Sequence, residues 1–218
     1  MKSTLYFPHL PKCGGTSVEK FIQSSGINAF YDYDHPPSHR KFFRDLSERR
    51  NKEFSQLNFN AFDIVYGHYP IRRYNHKSNV VLLLRHPVDR AISHFNYWKY
   101  VMPKSNLVGL AKEPMVQLIK DGDCDFVTFL KNAKIDTFFL RYLDELDLRD
   151  VRQVFFTDQM HKLFDYLSDY FDLKLPHHNL RERENTIKKE YLPENDLKFA
   201  YNFLKDEIEI FKKFGGSN

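Results

Sequence analysis

The chain has 218 residues, of which 42% are hydrophobic and 16% aromatic, so it is long enough to bury a sizeable core. Its 33 Lys and Arg exceed its 29 Asp and Glu, which favours an anionic small molecule over a nucleic-acid polymer as partner. Its two cysteines, Cys13 and Cys124, form no Cys-x-x-Cys pair. No apolar run is long enough for a membrane span. We therefore expect a cytoplasmic location, where cysteines stay reduced.

The first predicted element is a short buried strand within STLYFPHL. After two glycines, TSVEKFIQSSG has helical spacing, with Val18, Phe21 and Ile22 on one face. Gly26 is a suitable stop for this helix. The chain therefore begins with a strand, a glycine turn and a helix.

Two further strands are predicted in the first half of the chain. Residues 28–60 are predicted to be irregular around His-Pro-Pro, apart from a short basic helix over 40–50. FDIVYGH is a strand that ends at Gly67. The near-continuous apolar run of NVVLLLRHP is typical of a central parallel strand that is buried on both faces. Pro87 suits the first position of the helix that follows.

The rest of the chain continues the alternation of strands and helices. The pattern predicts two helical pieces in DFVTFLKNAKIDTFFLRYLDEL, a strand in VRQVFFTD and a helix in QMHKLFDYLSDYF. A long terminal helix is predicted from Pro193 to Gly215. These spacings allow right-handed crossovers, so we predict a three-layer α/β fold with a mainly parallel central sheet, as one domain over residues 1–218.

The stretch PKCGGTS, between the first strand and helix, has the composition of an anion-binding turn. Glycines let backbone N–H groups converge on an anion, and the following helix adds the positive end of its dipole. Thr16 and Ser17 add hydroxyl groups to the same turn. Lys12 precedes Gly14 and Gly15, whereas the common nucleotide-binding loop has its lysine after the glycines. A glycine-rich turn with a surface lysine is the alternative interpretation.

A second candidate anion site lies in LLLRHPVDRAISHF. Arg85 follows the buried strand at its carboxyl end, where open α/β sheets bind ligands, and arginine makes forked contacts with phosphate oxygens. Ser93 lies in the first turns of the next helix. The alternative is that Arg85 pairs with Asp89 while Ser93 only packs the helix. Two separated anion sites suit a nucleotide that carries phosphates at two places.

Together, PKCGGTS and RHPVDRAISHF resemble the sulfotransferases that use 3′-phosphoadenosine 5′-phosphosulfate (PAPS). The pattern is most similar to the carbohydrate branch, the heparan sulfate 2-O-sulfotransferases and their bacterial relatives. The resemblance implies a P-loop-like sulfotransferase fold and release of adenosine 3′,5′-bisphosphate (PAP). We expect no metal, because the sequence has no acidic strand end paired with the loop, as a magnesium-dependent NTPase would need. It implies that the 3′-phosphate is bound by Arg85 and Ser93, and that the 5′-phosphosulfate is bound by Lys12, Gly14, Gly15, Thr16 and Ser17.

The same resemblance implies further site residues. A charged loop that closes over the nucleotide corresponds to HNLRERENT, with Arg183 and Thr186 as candidates, although a solvated loop fits the same sequence. A catalytic histidine is implied shortly after the second strand, and VYGHYP places His68 there. A base with a pKa near neutral suits removal of the acceptor proton. Lys12 would stabilise the charge that develops on the oxygen between sulfur and phosphorus.

Residues 32–35 provide rival candidates for the base, since other sulfotransferase branches use a carboxylate soon after the first helix. These rivals are Asp32, Asp34 and His35. Candidates for contact with an acidic sugar are Asp34, His35, Arg72 and Arg73, with a solvated basic face as the alternative.

The predicted function is transfer of the sulfuryl group from PAPS to an acceptor hydroxyl, of a carbohydrate in the branch that the motifs resemble. One alternative is a P-loop small-molecule kinase, which would need a Gly-Lys-Ser/Thr order and a magnesium-binding carboxylate. The other is a nucleotide-binding module without catalysis.

Overall fold

The structure is a computed structural model that describes residues 3–32, 61–74, 79–101, 117–119, 122, 124–133, 135–173 and 189–217. Within these ranges the strands are Leu5–Pro8 (β1), Ala29–Tyr31 (β2), Ile64–Gly67 (β3), Val80–Leu84 (β4) and Val151–Phe156 (β5). The α-helices are Gly15–Ser25 (α1), Pro87–Asn96 (α2), Phe126–Ala133 (α3), Phe138–Leu143 (α4), Met160–Phe171 (α5), Glu194–Phe203 (α6) and Lys205–Lys213 (α7).

The strands form one parallel sheet in the order β2-β3-β1-β4-β5. In the pairing of β1 with β3, the last residues of the two strands, Pro8 and Gly67, are register partners. Every residue of β4 is buried, as its apolar run predicts. The predicted α/β fold with helices flanking a parallel sheet is therefore confirmed.

One face of the sheet packs against α1 and α5. The predicted apolar face of α1 is the buried one, and Gly26 ends the helix with a left-handed φ of 69°. Phe21 of α1 and Phe164 of α5 stack with their ring centroids 4.9 Å apart. The same cluster includes Leu5, Phe7, Val18, Ile22, Ile64, Tyr66, Val81, Leu83, Phe155, Met160, Leu163 and Leu167.

Two sequence predictions are wrong. The irregular region predicted from residue 28 begins with a strand, because Ala29 pairs with Ile64 and extends the sheet by β2. The single terminal helix is two helices, α6 and α7, separated by Leu204 at φ −100° and ψ 16°. Leu204 is fully buried, so a packed apolar residue marks the break where the sequence has neither glycine nor proline. The basic helix predicted over 40–50 lies outside the described residues.

The described residues fall into two compact units. The first, which we call the sheet unit, comprises those of 1–84 and 140–179 and contains the whole sheet with α1 and α5. The second, the helical unit, comprises those of 85–139 and 180–218. In it α2 packs against α3 and α7, and α3 packs against α6. A single functional domain over the whole chain stays a prediction.

Among the described residues, no helix has both the length and the apolar character that crossing a membrane requires. The cytoplasmic location stays a prediction.

Candidate functional site

The turn between β1 and α1 has a left-handed backbone at two positions. Gly14, which precedes α1, has a φ of 77°, and Lys12 has a φ of 69°. Glycine adopts this region freely, whereas a lysine there costs about 1–2 kcal/mol. Such strain persists only where the surrounding structure fixes it, and it is concentrated at ligand-binding sites. The sequence indicates the role of the glycine but not the conformation of the lysine.

The N-terminus of α1 faces this turn. No acidic residue lies in the first turn of α1, and no side chain caps it. The N–H groups of Ser17 and Val18 both donate to the Gly14 carbonyl, at 3.0 and 3.3 Å. Thr16 is exposed and Ser17 is half-buried. The turn thus combines a helix N-terminus, two hydroxyl groups and the lysine that precedes them, which suits an anion.

Side chains of the sheet unit contact the backbone of this turn at its two glycines. The Tyr66 hydroxyl donates to the Gly15 carbonyl oxygen at 2.8 Å. A Cβ atom at Gly14 would lie 2.2 Å from Cε of Met160, and one at Gly15 would lie 1.7 Å from Cε1 of His9. Close packing against the His9 ring therefore favours glycine at position 15. At Gly14 the left-handed φ favours glycine, because the Met160 methyl can move aside.

His68 is half-buried and directly follows the last residue of β3. Its Nδ1 lies 2.7 Å from the backbone carbonyl oxygen of His9. A carbonyl oxygen only accepts hydrogen bonds, so we assign the proton to Nδ1 and the lone pair to Nε2. The ring of Tyr142 meets His68 edge-on, at a centroid distance of 6.5 Å. A histidine with a fixed Nδ1–H and a basic Nε2 has the form that a general base requires.

His9 is a residue of this site that sequence reasoning missed. It directly follows β1, and its ring stacks on that of His68 at a centroid distance of 4.4 Å. Burial, followed by the positive charges of His68 and Lys12, holds the pKa of His9 well below its usual range, so the ring is neutral. The sequence feature that could have identified His9 is a histidine at the end of each of two predicted strands. Only the pairing of β1 with β3 makes the two histidines neighbours.

Asp32, a rival candidate for the base, lies in a buried polar cluster. It is 1% exposed, and its Oδ2 lies 2.8 Å from Nε of Arg73 and accepts a 2.8 Å hydrogen bond from the Tyr74 hydroxyl. Burial, followed by neighbouring Tyr69 and Asp32, raises the pKa of Tyr74 far above its usual range, so the hydroxyl keeps its proton. These contacts give Asp32 a structural role. Its alternative role as the base stays a prediction.

The two arginines predicted to contact an acidic acceptor lie in the short 3-10 helix Ile71–Arg73. Arg73 is the partner of Asp32, and its side chain is 11% exposed. Arg72 is half-exposed and forms a 2.9 Å ion pair with Asp144. Of the two, Arg72 is therefore the more accessible to an acceptor. The role of both residues in acceptor binding stays a prediction.

Arg85 and Ser93 belong to the helical unit. Arg85 directly follows β4 in the sequence and is half-buried, and Ser93 lies on α2. α2 begins at Pro87, as predicted, and Nδ1 of His86 accepts a 3.3 Å hydrogen bond from the Val88 N–H. This capping role of His86 was not predicted. It fixes the first turn of α2 immediately after Arg85.

Four predicted site residues lie outside the described residues: Asp34, His35, Arg183 and Thr186. Within the described ranges, no group of three or more His, Cys, Asp or Glu side chains is arranged to hold a metal ion.

No protein-family model and no curated protein sequence matches the chain. Among solved structures, it is similar to a sulfotransferase from Alicyclobacillus acidocaldarius, with a TM-score of 0.54, 11% identity, and coverage of 100% of this chain and 98% of the other. It is also similar to mouse sulfotransferase SULT7A1 in complex with PAP, with a TM-score of 0.48, 11% identity, and coverage of 98% and 88%. The likeness to the bacterial protein shows that the chain has the fold of a sulfotransferase.

Proposed function

We propose that this protein is a PAPS-dependent O-sulfotransferase that acts on a carbohydrate hydroxyl and releases PAP. One observation carries the proposal. The anion-binding turn after β1 and the oriented His68 after β3 lie at the carboxyl ends of two paired strands. Ligands of open α/β sheets bind at this edge, so a donor and a base are expected there.

The proposed reaction is an in-line sulfuryl transfer. The acceptor oxygen forms a bond to sulfur while the bond from sulfur to the 5′-phosphate oxygen breaks. The electron pair of the broken bond stays on that phosphate oxygen, which leaves as part of PAP. The acceptor proton moves to Nε2 of His68, the nitrogen that the Nδ1 hydrogen bond leaves basic. Atoms and charges balance without a further reactant.

Some residues of the turn bind the donor, and one of them, Lys12, also takes part in catalysis. The backbone N–H groups at the start of α1, with Thr16 and Ser17, hold the 5′-phosphosulfate through the positive end of the helix. Lys12 places its charge at the oxygen that leaves sulfur, where charge develops most in the transition state. Its left-handed backbone is consistent with this role, because strained residues are concentrated at ligand-binding sites.

The 3′-phosphate is assigned to Arg85 and Ser93, and Arg183 and Thr186 are proposed to bind the nucleotide elsewhere. The support is the motif pair itself, because RHPVDRAIS has the arginine and serine spacing of the PAPS-dependent enzymes that it resembles. Asp34, His35, Arg72 and Arg73 are proposed to contact the acceptor. Their mixture of charges suits a sugar that carries an acidic group.

Calorimetry with PAP tests the nucleotide assignment. We expect the wild-type protein to bind PAP and the Arg85→Ala variant to bind it at least about tenfold more weakly, since one charged contact is lost. Arg149, which pairs with Asp147 at the surface, provides the matched control Arg149→Ala. Tight binding of ATP with magnesium and no binding of PAP would replace this proposal with the kinase interpretation. Sulfate transfer from labelled PAPS to a panel of polysaccharides then identifies the acceptor.

A further inference from the structure

We infer that His9 is a positioning residue for His68: the flat face of its ring sets the plane of the His68 ring and so the direction of Nε2. The inference rests on the proposed function, in which His68 Nε2 takes the acceptor proton. It adds a residue that the resemblance does not assign. Its support is the geometry at the ends of β1 and β3.

The backbone places the two histidines side by side. The pairing of β1 with β3 ends at Pro8 and Gly67, so His9 and His68 are the next residues on two adjacent strands. The His9 N–H donates to the Gly67 carbonyl at 2.7 Å, and the His9 carbonyl accepts from Nδ1 of His68 at 2.7 Å. That bond holds Nδ1 at one edge of the His68 ring. A second contact, on the face of the ring, restricts its plane further.

Ring stacking supplies the second contact. The His9 and His68 rings are 28° from parallel at a centroid distance of 4.4 Å. His9 is itself held in place, because its ring lies 10° from parallel to that of Tyr66 at 5.6 Å. The backbone of Gly15 is so close that an added Cβ would lie 1.7 Å from the ring. His9, which is 8% exposed, therefore presents a rigid surface to His68.

The shape of the His9 ring, rather than a hydrogen bond from it, explains this role. Its Nε2 is buried and has no hydrogen-bond partner among the described residues. Among the described residues, the ionisable groups that act on the ring or stack with it are His68, Lys12 and Tyr66, whose hydroxyl donates to Gly15. Burial is the main reason why His9 stays neutral. A proton taken up by His68 therefore meets no like charge on the ring stacked against it.

Two variants of His9 test whether the planar shape of the ring matters or only the volume that it fills. His9→Phe keeps a planar face, and His9→Leu fills a similar volume without one. Neither removes a hydrogen bond of Nε2 to the described residues. His161→Ala, at an exposed position on α5, is the control for loss of a histidine.

The first readout is the tautomer of His68, measured by ¹⁵N NMR of the ring in the absence of substrate. His68→Gln identifies the resonances. We expect an Nδ1–H form in the wild type and in His9→Phe. In His9→Leu we expect a shift towards the Nε2–H form, which predominates in free histidine. Because this readout needs no reaction, it tests the inference even if the protein transfers no sulfate to any acceptor.

The second readout compares the change in kcat with the change in the Kd for PAP. In His9→Leu we expect kcat to fall about tenfold or more, as part of the general-base contribution is lost, while the Kd for PAP changes less than about twofold. His9→Phe is expected to stay within about threefold of the wild-type kcat. An unchanged His68 tautomer in His9→Leu would overturn the inference, as would equal loss of kcat in the Leu and Phe variants.

Discussion

Arg90 and Glu207, 117 residues apart in the sequence, form a 3.0 Å ion pair with both side chains fully buried. The pair joins α2 to α7 within the helical unit. Arg90 also donates to the Ile135 carbonyl at 3.1 Å, and its guanidinium carbon lies 4.5 Å from the centroid of the Phe138 ring. Glu207 accepts from the Phe139 N–H at 2.8 Å. Several segments of the unit therefore depend on one pair of charges.

We expect Glu207→Ala to lower the free energy of unfolding by about 3–5 kcal/mol, because it leaves the Arg90 charge buried without its partner. Glu207→Gln, which keeps an oxygen for the Phe139 N–H, should cost less. Chemical denaturation measures both. The exposed pair of Lys212 and Glu209 provides the control, and Glu209→Ala should change stability by less than about 0.5 kcal/mol. Equal losses at Glu207 and Glu209 would contradict this assignment.

His68→Ala should lower kcat by about 10²–10⁴-fold, the usual contribution of a general base, with little change in the Kd for PAP. The reason is that the proposed contact of His68 is with the acceptor proton and not with the nucleotide. Sulfate transfer and calorimetry on the same preparation measure the two quantities. His161→Ala is the control. A parallel loss of PAP affinity would show that His68 binds the nucleotide instead.

Lys12→Ala should lower kcat by about 10²–10³-fold and weaken PAP binding far less, because charge on the leaving oxygen develops in the transition state. Lys12→Asn separates this effect from backbone strain, since asparagine tolerates the left-handed region better than alanine. We expect both variants to be equally inactive, with the Asn variant the more stable in thermal denaturation. Equal losses of kcat and PAP affinity would make Lys12 only a phosphate anchor.

Gly15→Ala should lower both stability and kcat, because the new methyl group would overlap the ring of His9. Gly26→Ala is the matched control: its φ is 69° and nothing lies within 4 Å, so it carries backbone strain alone. We expect a loss of about 1–2 kcal/mol for Gly26→Ala and a normal kcat. Steady-state kinetics and denaturation distinguish the two. A Gly15→Ala variant with wild-type kcat would show that the ring can move aside.

Acid should destabilise the protein through His9. Burial, then the charges of His68 and Lys12, holds its pKa well below its usual range in the folded state. A group with a lowered folded pKa contributes stability that is present above its unfolded pKa of about 6.5, and that is lost as the pH falls through the folded value. The free energy of unfolding should therefore fall below about pH 6.5, and fall less in His9→Phe. Denaturation curves at several pH values test this.

His86 contributes to the same pH dependence for a different reason. Burial lowers its pKa, Asp89 acts in the opposite sense, and its Nδ1 must be unprotonated to accept from the Val88 N–H. His86→Asn keeps a capping oxygen and removes the titration, so its stability should also vary less with acid than that of the wild type. If both variants retain the full wild-type slope, other groups dominate acid unfolding.

Most of the fold follows from local patterns in the sequence. β1, β3, β4 and β5 are short apolar runs bounded by turn residues, and α1 has a clear apolar face. β2 was missed because three residues are too few to show a period, and their pairing with β3 is non-local. The break at Leu204 was missed because neither glycine nor proline marks it.

The site was predictable only where its residues are close in the sequence. The turn from Lys12 to Ser17 is a continuous motif, and its residues lie on one strand-turn-helix junction. The stacking of His9 on His68 and the pairing of Asp32 with Arg73 join residues that strand order brings together. No spacing rule applies to such contacts before the sheet order is known.

The register of β1 against β3 has a consequence for how this site can change in evolution or in the laboratory. The two histidines owe their contact to the position at which each strand stops, with Pro8 opposite Gly67. Deletion of one residue from either strand would turn the following side chain to the opposite face of the sheet and separate the rings. Insertions and deletions should therefore be eliminated within these two four-residue strands.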